Sequence, residues 1–458
     1  MTAISKRVDT DVEYLVSNLQ ELIRIPSVSA KNQLLEECAK LVSKIMNDAG
    51  IKAELLYLEE EEAKSDKIPP IVFGEVKSRS NPSGKTILFY NHYDVQPPDP
   101  LDLWNADPFS GNREGNFVFG RGSSDDKGEL ITRIKAVEYF LKETGDIPCN
   151  IKFLVEGEEE IGSSHIEQYL TRYKEKFQCD AVIWEFGYID EKDRPIISLG
   201  MKGLLYVELV ARGPNVDVHS SLAVVIENPA WRLVSALNSL RDERGNILIQ
   251  DWYKDVREFT PEELALIEKD EFDEEDFKRN YGIKKFVNDA SLQEIKKVLV
   301  GGPTCNIAGL FSGYIEEGSK TVLPSIAKAK LDFRLVPNMD PKVQFERLKA
   351  HLDKHGFSDI EIKFMEGEAA SRTPVNDKFV KLVERCAVEE YRQVVTSVSS
   401  AGTGPMYYFV QILHCPCVSV GGTHKYSKIH SPNEFSRIDL LQKTTKLIGR
   451  ILENFSSI

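Results

Sequence analysis

Three short motifs concentrate histidine and carboxylate side chains in the first third of the chain. They are residues 91–94 (Asn-His-Tyr-Asp), 122–128 (Gly-Ser-Ser-Asp-Asp-Lys-Gly) and 158–160 (Glu-Glu-Glu). Each motif follows an apolar run that is typical of a buried strand, and glycine or proline closes it. Side chains at consecutive strand ends can converge on one point. A histidine and several carboxylates brought together in this way have the composition of a metal centre.

Taken singly, each motif has a more ordinary explanation. His92 and Asp94 are two residues apart at a strand end, so their side chains point to the same side, and Asp94 can fix the tautomer of a metal-binding ring. Asp125 and Asp126 precede a helix, where capping is the usual role of aspartate. The glutamate run is harder to explain, because adjacent carboxylates repel one another unless cations neutralise them. This run favours a binding site.

Apolar spacing predicts alternating strands and helices around these motifs. The helices are expected at 10–23, 34–49, 127–142 and 164–176, and the strands at 53–58, 71–76, 86–90, 150–155 and 179–184. Glu185 directly follows the last of these strands. Such alternation is typical of an α/β fold with a mixed sheet covered by helices.

The pattern changes near residue 200. Half-exposed strands are expected at 204–211, 327–336 and 360–365, and a polar, mostly helical insertion at about 227–300, while helix-strand alternation resumes near residue 376. The acidic block at 262–276 is interpreted as solvated helix surface. The sequence therefore predicts a discontinuous α/β domain, residues 1–200 and 370–458, with an α+β domain inserted at 201–369.

Composition narrows the class of protein. The 458 residues include 58 basic and 72 acidic side chains, a net charge of −14, which disfavours nucleic acid or an anionic membrane as partner. No stretch approaches the roughly 18 uninterrupted apolar residues of a membrane span. The seven cysteines are odd in number and scattered, as expected for reduced thiols. We expect a cytoplasmic protein.

The motifs together resemble the dinuclear-zinc metallopeptidase family of carnosinases, PepV-type dipeptidases, carboxypeptidase G, aminoacylases and succinyl-diaminopimelate desuccinylase. The resemblance is carried by His-x-Asp at 92–94, Asp-Asp-Lys-Gly at 125–128, Glu-Glu-x-Gly-Ser at 159–163 and Ile-His-Ser-Pro-Asn-Glu at 429–434. It covers nearly the whole chain, and the four motifs occur in the family's order.

The resemblance implies a site with two Zn²⁺ ions per subunit, for which Co²⁺ or Mn²⁺ could substitute. Asp125 would bridge the metals, and Glu159 would be the general base. Asp94 would support the ligand His92. The implied metal ligands are His92, Asp125, Glu160, Glu185 and His430.

The same resemblance implies that the inserted domain is a lid that also forms a homodimer. His219, in Asp-Val-His-Ser at 217–220, would stabilise the oxyanion in the partner subunit's site, and Arg334 would pair with a substrate carboxylate. Thr321 and the glycine-rich loop containing Gly404 would contact the substrate. Ser221 stands where many members of the family have glycine.

The activity implied is hydrolysis of peptide bonds near a free C-terminal carboxylate, as in a carboxypeptidase or dipeptidase, by metal-activated water and a glutamate base. The alternative is deacylation of an N-acyl amino acid such as N-succinyl-diaminopimelate. An inactive metal-binding homologue is a hypothesis of a different class, but every matched position carries a competent residue. The expected partners are a small peptide or N-acyl amino acid and a second copy of the chain.

Overall fold

Two units make up the protein, and the computed structural model describes residues 2–58 and 68–458. Unit 1 comprises Met1–Gly200, Arg372–Val398 and Gly404–Ile458, and unit 2 comprises Met201–Ser371 and Ser399–Thr403. Unit 1 is thus discontinuous in sequence.

Helices and strands alternate through the first 200 residues, as the apolar spacing predicts. The helices are α1 (Ser5–Thr10), α2 (Val12–Ile23), α3 (Leu35–Asp48), α4 (Lys127–Thr144), α5 (Ile166–Arg172) and α6 (Lys174–Phe177). The strands are β1 (Lys52–Leu56), β2 (Ile71–Val76), β3 (Thr86–His92), β4 (Asn112–Glu114), β5 (Phe117–Phe119), β6 (Asn150–Glu156), β7 (Ala181–Trp184), β8 (Tyr188–Ile189), β9 (Ile196–Ser198) and β10 (Gly200–Met201).

The remaining elements follow in chain order. Up to residue 372 they are β11 (Gly203–Arg212), β12 (Val218–His219), α7 (Pro229–Leu240), α8 (Pro261–Lys269), α9 (Glu274–Tyr281), α10 (Leu292–Gly301), β13 (Asn306–Ser312), β14 (Val322–Leu323), β15 (Ile326–Leu335), α11 (Pro341–Lys354), β16 (Glu361–Glu368) and β17 (Ser371–Arg372). The last are α12 (Lys378–Tyr391), β18 (Val395–Ser397), α13 (Met406–Leu413), β19 (Cys417–Ser419), β20 (Thr423–His424), β21 (Phe435–Arg437) and α14 (Ile438–Phe455).

A mixed sheet forms the centre of unit 1. Within the described residues its strand order is β1-β2-β6-β3-β7-β19-β9-β18. Strands β6, β3, β7 and β19 are parallel neighbours, whereas β1, β2 and β6 pair antiparallel. The parallel strands are continuous apolar runs because both of their faces are covered. Phe89 on β3 and Phe153 on β6, both fully buried, pack with ring centroids 5.1 Å apart.

Helices cover this sheet. The first fourteen residues of α4 are all buried, and the helix packs against β3, α2 and α14. Polar side chains on α4 are tolerated there because they are paired: Glu129 with Arg133 at 3.1 Å, and Lys135 with Glu138 at 2.6 Å. The predicted fold class, an α/β fold with a helix-covered mixed sheet, is confirmed.

Unit 2 contains a four-stranded antiparallel sheet of order β13-β15-β11-β16. Burial along β15 alternates almost residue by residue, as period-2 geometry requires of a sheet with one covered face. Helices α7 and α11 pack on that sheet, and Trp252 contacts Phe333 in the core with ring centroids 4.9 Å apart. In the acidic stretch, α8 begins with a capping box between Thr260 and Glu263.

Some predicted boundaries are wrong for identifiable reasons. The helix expected at 164–176 is two helices separated at Tyr173, and the strand expected at 86–90 continues to His92. Strand β3 extends because its parallel pairing with β6 continues through Asn91 opposite Val155 and His92 opposite Glu156. Hydrogen bonds between strands are made by backbone N–H and C=O groups, so polar side chains at 91 and 92 do not end the strand. In the part of the chain described here, no helix has the length and apolarity needed to span a membrane.

Candidate metal centre

The parallel strands of unit 1 deliver three of the candidate ligand segments to one edge of the sheet. His92 is the last residue of β3, and Glu185 immediately follows β7. The glutamate run follows β6, where Glu159–Ile161 form one turn of 3₁₀ helix. Because β3, β6 and β7 are parallel neighbours, their carboxyl ends lie side by side.

The carboxylate of Asp125 lies between two histidines. His92 Nε2 is 3.0 Å from Asp125 Oδ1, and His430 Nε2 is 3.1 Å from Asp125 Oδ2. Each oxygen of one carboxylate therefore faces a different imidazole. This arrangement is compatible with a carboxylate that is shared by two metal ions.

Two groups of potential ligands share this neighbourhood. In each group, one ligand atom from every member lies within 4.8 Å of the others. In the first group His92 Nε2 is 3.9 Å from Glu185 Oε2, and in the second His430 Nε2 is 3.0 Å from Glu160 Oε2. The groups are His92, Glu159 and Glu185, and Asp125, Glu160 and His430. The structure thus brings the predicted ligands together, with the predicted base Glu159 among them.

The residues fit a pair of divalent cations. Among the described residues, Glu160 Oε1 and Glu185 Oε2 are buried without a hydrogen-bond partner. An unpaired buried acceptor costs about 1–3 kcal/mol, and more when it is charged. Imidazole nitrogens with carboxylate oxygens form a donor set that suits zinc, cobalt or manganese. A cation in each group would satisfy these oxygens and neutralise the crowded charge.

Burial and mutual repulsion perturb the carboxylates of the site. Burial raises the pKa of Glu159 well above its usual range, and the neighbouring carboxylates of Glu160 and Asp125 raise it further, although His92 opposes them. The pKa of Glu185 is raised well above its usual range by burial and by Glu159. The pKa of Glu160 is raised by burial and by Asp125. A nearby positive charge would oppose each of these shifts.

Asp125 behaves in the opposite way because it has cationic partners. Burial disfavours its charged form, but hydrogen bonds from His430 and His92 outweigh burial and hold the pKa of Asp125 below its usual range. The same hydrogen bond, with a second one to Glu160, raises the pKa of His430 to about 10. The imidazoles of His92 and His430 are thus the groups that favour the charged form of Asp125.

Asp94 holds two parts of the site. His92 Nδ1 lies 3.0 Å from the carbonyl oxygen of Asp94 and 3.3 Å from its Oδ1, which leaves Nε2 directed at Asp125. The Asp94 carboxylate also accepts the backbone N–H groups of Glu159 and Glu160, at 3.3 and 3.1 Å. Its predicted support of His92 is thus accompanied by a second contact, to the glutamate turn.

Asp126 does not cap α4, although the sequence allows that role. Its side chain makes no capping hydrogen bond and instead accepts from Asn91 Nδ2 at 2.7 Å and from the backbone N–H of His92 at 3.1 Å. Asn91 Nδ2 also lies 3.2 Å from the carbonyl oxygen of Glu185. Asp126 therefore joins the ends of β3 and β7 to the segment that carries Asp125.

The sequence reasoning missed Glu434. This fully buried carboxylate accepts from Arg121 Nη1 at 2.7 Å and from the backbone N–H groups of Gly122, Ser124 and Asp125 at 3.2, 2.9 and 3.1 Å. It fixes the segment of Asp125 against the segment of His430. Two sequence features could have indicated this ion pair. A glutamate ends the motif that contains His430, and an arginine immediately precedes Gly122.

Two other polar contacts near the site were not predicted from the sequence. Gln96 Nε2 donates to Glu160 Oε2 at 3.0 Å. Glu158, the first glutamate of the run, is 2.7 Å from His165 Nδ1. His165 thus partners the one glutamate of the run that belongs to neither ligand group.

The remaining predicted residues are placed as follows. Gly404 is buried in unit 1, two residues before α13. In unit 2, Thr321 is exposed and its carbonyl accepts from Ser220 N at 3.3 Å, while Arg334 Nη1 donates to Thr403 Oγ1 at 2.5 Å. Their roles stay predictions.

His219 is exposed at the end of β12 in unit 2. Its Nδ1 accepts the backbone N–H of Ser221 at 3.2 Å and lies 2.8 Å from the Ser221 hydroxyl. An imidazole that accepts at Nδ1 carries its proton at Nε2 when it is neutral. His219 therefore presents an N–H donor at Nε2, and its role also stays a prediction.

Comparison with known proteins agrees with this description. The chain is 32% identical over 361 residues to the Cys-Gly metallodipeptidase of Schizosaccharomyces pombe, covering 76% of this chain and 74% of that protein. Among solved structures, an M20 family metallo-carboxypeptidase from Sulfolobus solfataricus superposes with a TM-score of 0.89 at 39% identity, covering 97% and 99% of the two chains. Human carnosine dipeptidase 1 superposes with a TM-score of 0.83 at 26% identity, covering 99% and 98%.

A family model also matches most of the chain. The model described as Peptidase family M20/M25/M40 aligns with residues 88–454, which include the candidate ligands, all of unit 2 and most of unit 1. The predicted resemblance is confirmed, as is the prediction of an enzyme that hydrolyses C–N amide bonds. The chain belongs to peptidase family M20/M25/M40.

Proposed function

We propose that this protein is a dinuclear-metal peptidase that cleaves short peptides next to a free C-terminal carboxylate, as a dipeptidase or carboxypeptidase. The observation that carries the proposal is the Asp125 carboxylate, whose two oxygens lie 3.0 and 3.1 Å from the imidazoles of two different ligand groups. Relatives named as dipeptidases and as a metallo-carboxypeptidase support peptides as the substrate class.

The proposed ligands divide into a shared carboxylate and two pairs. Asp125 is shared, His92 and Glu185 hold one ion, and Glu160 and His430 hold the other. When bound, two Zn²⁺ ions would lower the pKa of water and polarise the scissile carbonyl. Co²⁺ or Mn²⁺ would serve the same donor set.

Proton transfer is assigned to Glu159. Its carboxylate lies in the group that also contains His92 and Glu185, and a carboxylate in that position can act as a general base. Glu159 takes a proton from the attacking water and delivers it to the amine that leaves. Asp94 positions this glutamate through the backbone N–H at 3.3 Å and does not need to exchange protons itself.

Substrate recognition is assigned to residues of the predicted lid and to Gly404. Arg334 binds the terminal carboxylate, for which a guanidinium offers two parallel donors. His219 donates from Nε2 to the oxyanion of a second copy's substrate, and Thr321 and Gly404 line the substrate. The alternative, deacylation of N-acyl amino acids such as N-succinyl-diaminopimelate, uses the same hydrolytic chemistry on a different acyl group.

We further propose a homodimer formed through unit 2. Strand β13 is an edge strand of the four-stranded sheet, and it exposes Ile307, Leu310 and Phe311. An edge strand with apolar side chains can pair with its own copy about a twofold axis. A cytoplasmic location is proposed as well, on the basis of the scattered cysteines and the acidic charge.

Replacing Glu159 by Gln tests the base. The E159Q variant is expected to retain its metal ions but to lose about 10²- to 10⁴-fold in kcat, because a neutral amide cannot accept the proton. Metal content by mass spectrometry and steady-state kinetics check this. The matched control is E158Q, since Glu158 contacts His165, and it is expected to keep wild-type kcat. Loss of metal from E159Q would make Glu159 a ligand instead of the base.

Removing the metals tests the centre itself. Dialysis against a chelator is expected to abolish hydrolysis and lower the melting temperature, because ions at 100 times their Kd stabilise a folded protein by about 2.7 kcal/mol. Adding Zn²⁺ back is expected to restore both at about two ions per chain, and H430A is expected to bind fewer. Protein that binds no zinc and gains no activity from it would support the inactive homologue.

A substrate panel separates the proposed activity from its alternative. Dipeptides with a free carboxylate are expected to be cleaved, while their C-terminal amides lose about 10-fold or more in kcat/KM, because a charged hydrogen bond is worth about 1.5–3 kcal/mol. R334K should reduce this difference, whereas R212K, an exposed arginine of unit 2 paired with Glu361, should not. Cleavage of N-succinyl-diaminopimelate alone would establish the deacylase.

Mixing two inactive variants tests the dimer. If His219 acts in the second copy's site, a random mixture of E159Q and H219A is expected to recover about a quarter of wild-type activity, because half of the dimers then contain one complete site. Light scattering checks the dimer independently, and L310K on β13 is expected to be monomeric. A mixture as inactive as its components would show that His219 does not act in trans.

A further inference from the structure

Two cysteines lie together at the end of the unit 1 sheet opposite the candidate metal centre. Cys179 Sγ and Cys415 Sγ are 3.6 Å apart. Cys179 precedes β7 by two residues, and Cys415 precedes β19 by two residues. Cys179 is half-buried, whereas Cys415 is 7% exposed, so Cys179 is the more exposed residue of the two.

Backbone pairing of β7 with β19 holds the two cysteines close to each other. Strands β7 and β19 are parallel neighbours with Val182 opposite Cys417, and Val182 N–H donates to the carbonyl of Pro416 at 2.9 Å. Adjacent strands are about 4.8 Å apart, within the range of Cα separations that a disulfide spans. Closing the sulfurs from 3.6 Å to a bond of about 2.05 Å needs a movement of only about 1.5 Å.

We propose that Cys179 and Cys415 are a reversible redox pair that a small-molecule disulfide, such as oxidised glutathione, converts to an intramolecular disulfide. The Cys179 thiolate attacks one sulfur of the oxidant, so that a mixed disulfide forms and one glutathione thiolate leaves. The Cys415 thiolate then attacks Cys179 Sγ and releases the second thiolate. Two cysteine thiols are oxidised, one disulfide is reduced, and the two protons pass to solvent or to the released thiolates.

The surroundings of Cys179 set the rate of the first attack. The hydrogen bond with Cys415 and burial raise the pKa of the Cys179 thiol, and the Lys152 ammonium opposes them. Lys152 Nζ donates to the carbonyl oxygen of Gln178, the preceding residue, at 2.7 Å. The thiolate fraction is therefore small at neutral pH, and oxidation is expected to become faster as the pH rises toward 9.

The consequence is a covalent link across the discontinuity of unit 1. Cys179 lies in the segment before unit 2 and Cys415 in the segment after it, 236 positions later. A crosslink that closes so long a loop restricts the unfolded chain strongly. Glu185, at the other end of β7, is six residues away, roughly 20 Å along an extended strand. Oxidation is therefore expected to raise stability while leaving kcat unchanged.

The experiment treats the metal-loaded full chain with oxidised glutathione at pH 8.5, followed by denaturation and alkylation without reductant. We expect five of the seven thiols to be alkylated, a mass lower by two hydrogens, and a melting temperature higher by about 5 °C or more, reversed by dithiothreitol. Seven free thiols, or glutathione that stays attached as a stable mixed disulfide, would overturn the proposal.

Variants identify the partners. C179A and C415A are each expected to abolish the change in melting temperature. Cys417 lies two residues beyond Cys415 but is buried within β19, so C417A should still form the link. C305S, which removes a half-buried thiol of unit 2, is the matched control and should behave as wild type. A link that persists in C415A and disappears in C417A would refute the assigned pair.

Discussion

Repulsion between carboxylates is the constraint on which this structure depends. Parallel strands β3, β6 and β7 end at one edge, and the segments that follow them bring Glu159, Glu160 and Glu185 around Asp125. Burial raises the pKa values of all three glutamates, and repulsion from neighbouring carboxylates raises them further. A cluster so poorly neutralised by its own side chains costs stability, and bound divalent cations would recover it.

The site also depends on a second, buried set of hydrogen bonds that positions the ligands. Glu434 accepts three backbone N–H groups and the Arg121 guanidinium, and its partners precede it by 309 to 313 residues. Removing either member of a buried ion pair leaves an uncompensated charge, so loss of Arg121 or Glu434 is expected to lower the stability of the fold. Because these contacts join the first and last segments of unit 1, the segments that carry Asp125 and His430 are fixed together only when the discontinuous unit has folded.

Periodicity in the sequence predicted the alternating helices and strands of the first 200 residues, because the spacing of apolar residues is a local property of the chain. Strand β2 lies at its predicted bounds, and the glutamate run was recognised from the charge it would have to carry. Long-range partners were not predictable in this way. The sequence around Asp126 is compatible with a helix cap or with a hydrogen bond to Asn91. The hydrogen bond forms because strand β3, which carries Asn91, lies next to Asp126. Likewise, the extension of β3 to His92 comes from pairing with β6 and not from its own side chains.

The two ends of the parallel strands serve different physical purposes. At the carboxyl ends the backbone leaves the sheet in short turns. Polar side chains on these turns can converge and can bind the same positively charged groups. At the amino ends, backbone pairing between β7 and β19 holds the preceding residues so that the two thiols lie 3.6 Å apart. Strand β7 connects the thiol pair to the metal centre, and all four of its residues are buried. Oxidation converts two neutral thiols into a neutral disulfide and adds no charge, and the bond lies roughly 20 Å from Glu185 along the strand, so the electrostatics of the metal centre are expected to stay unchanged.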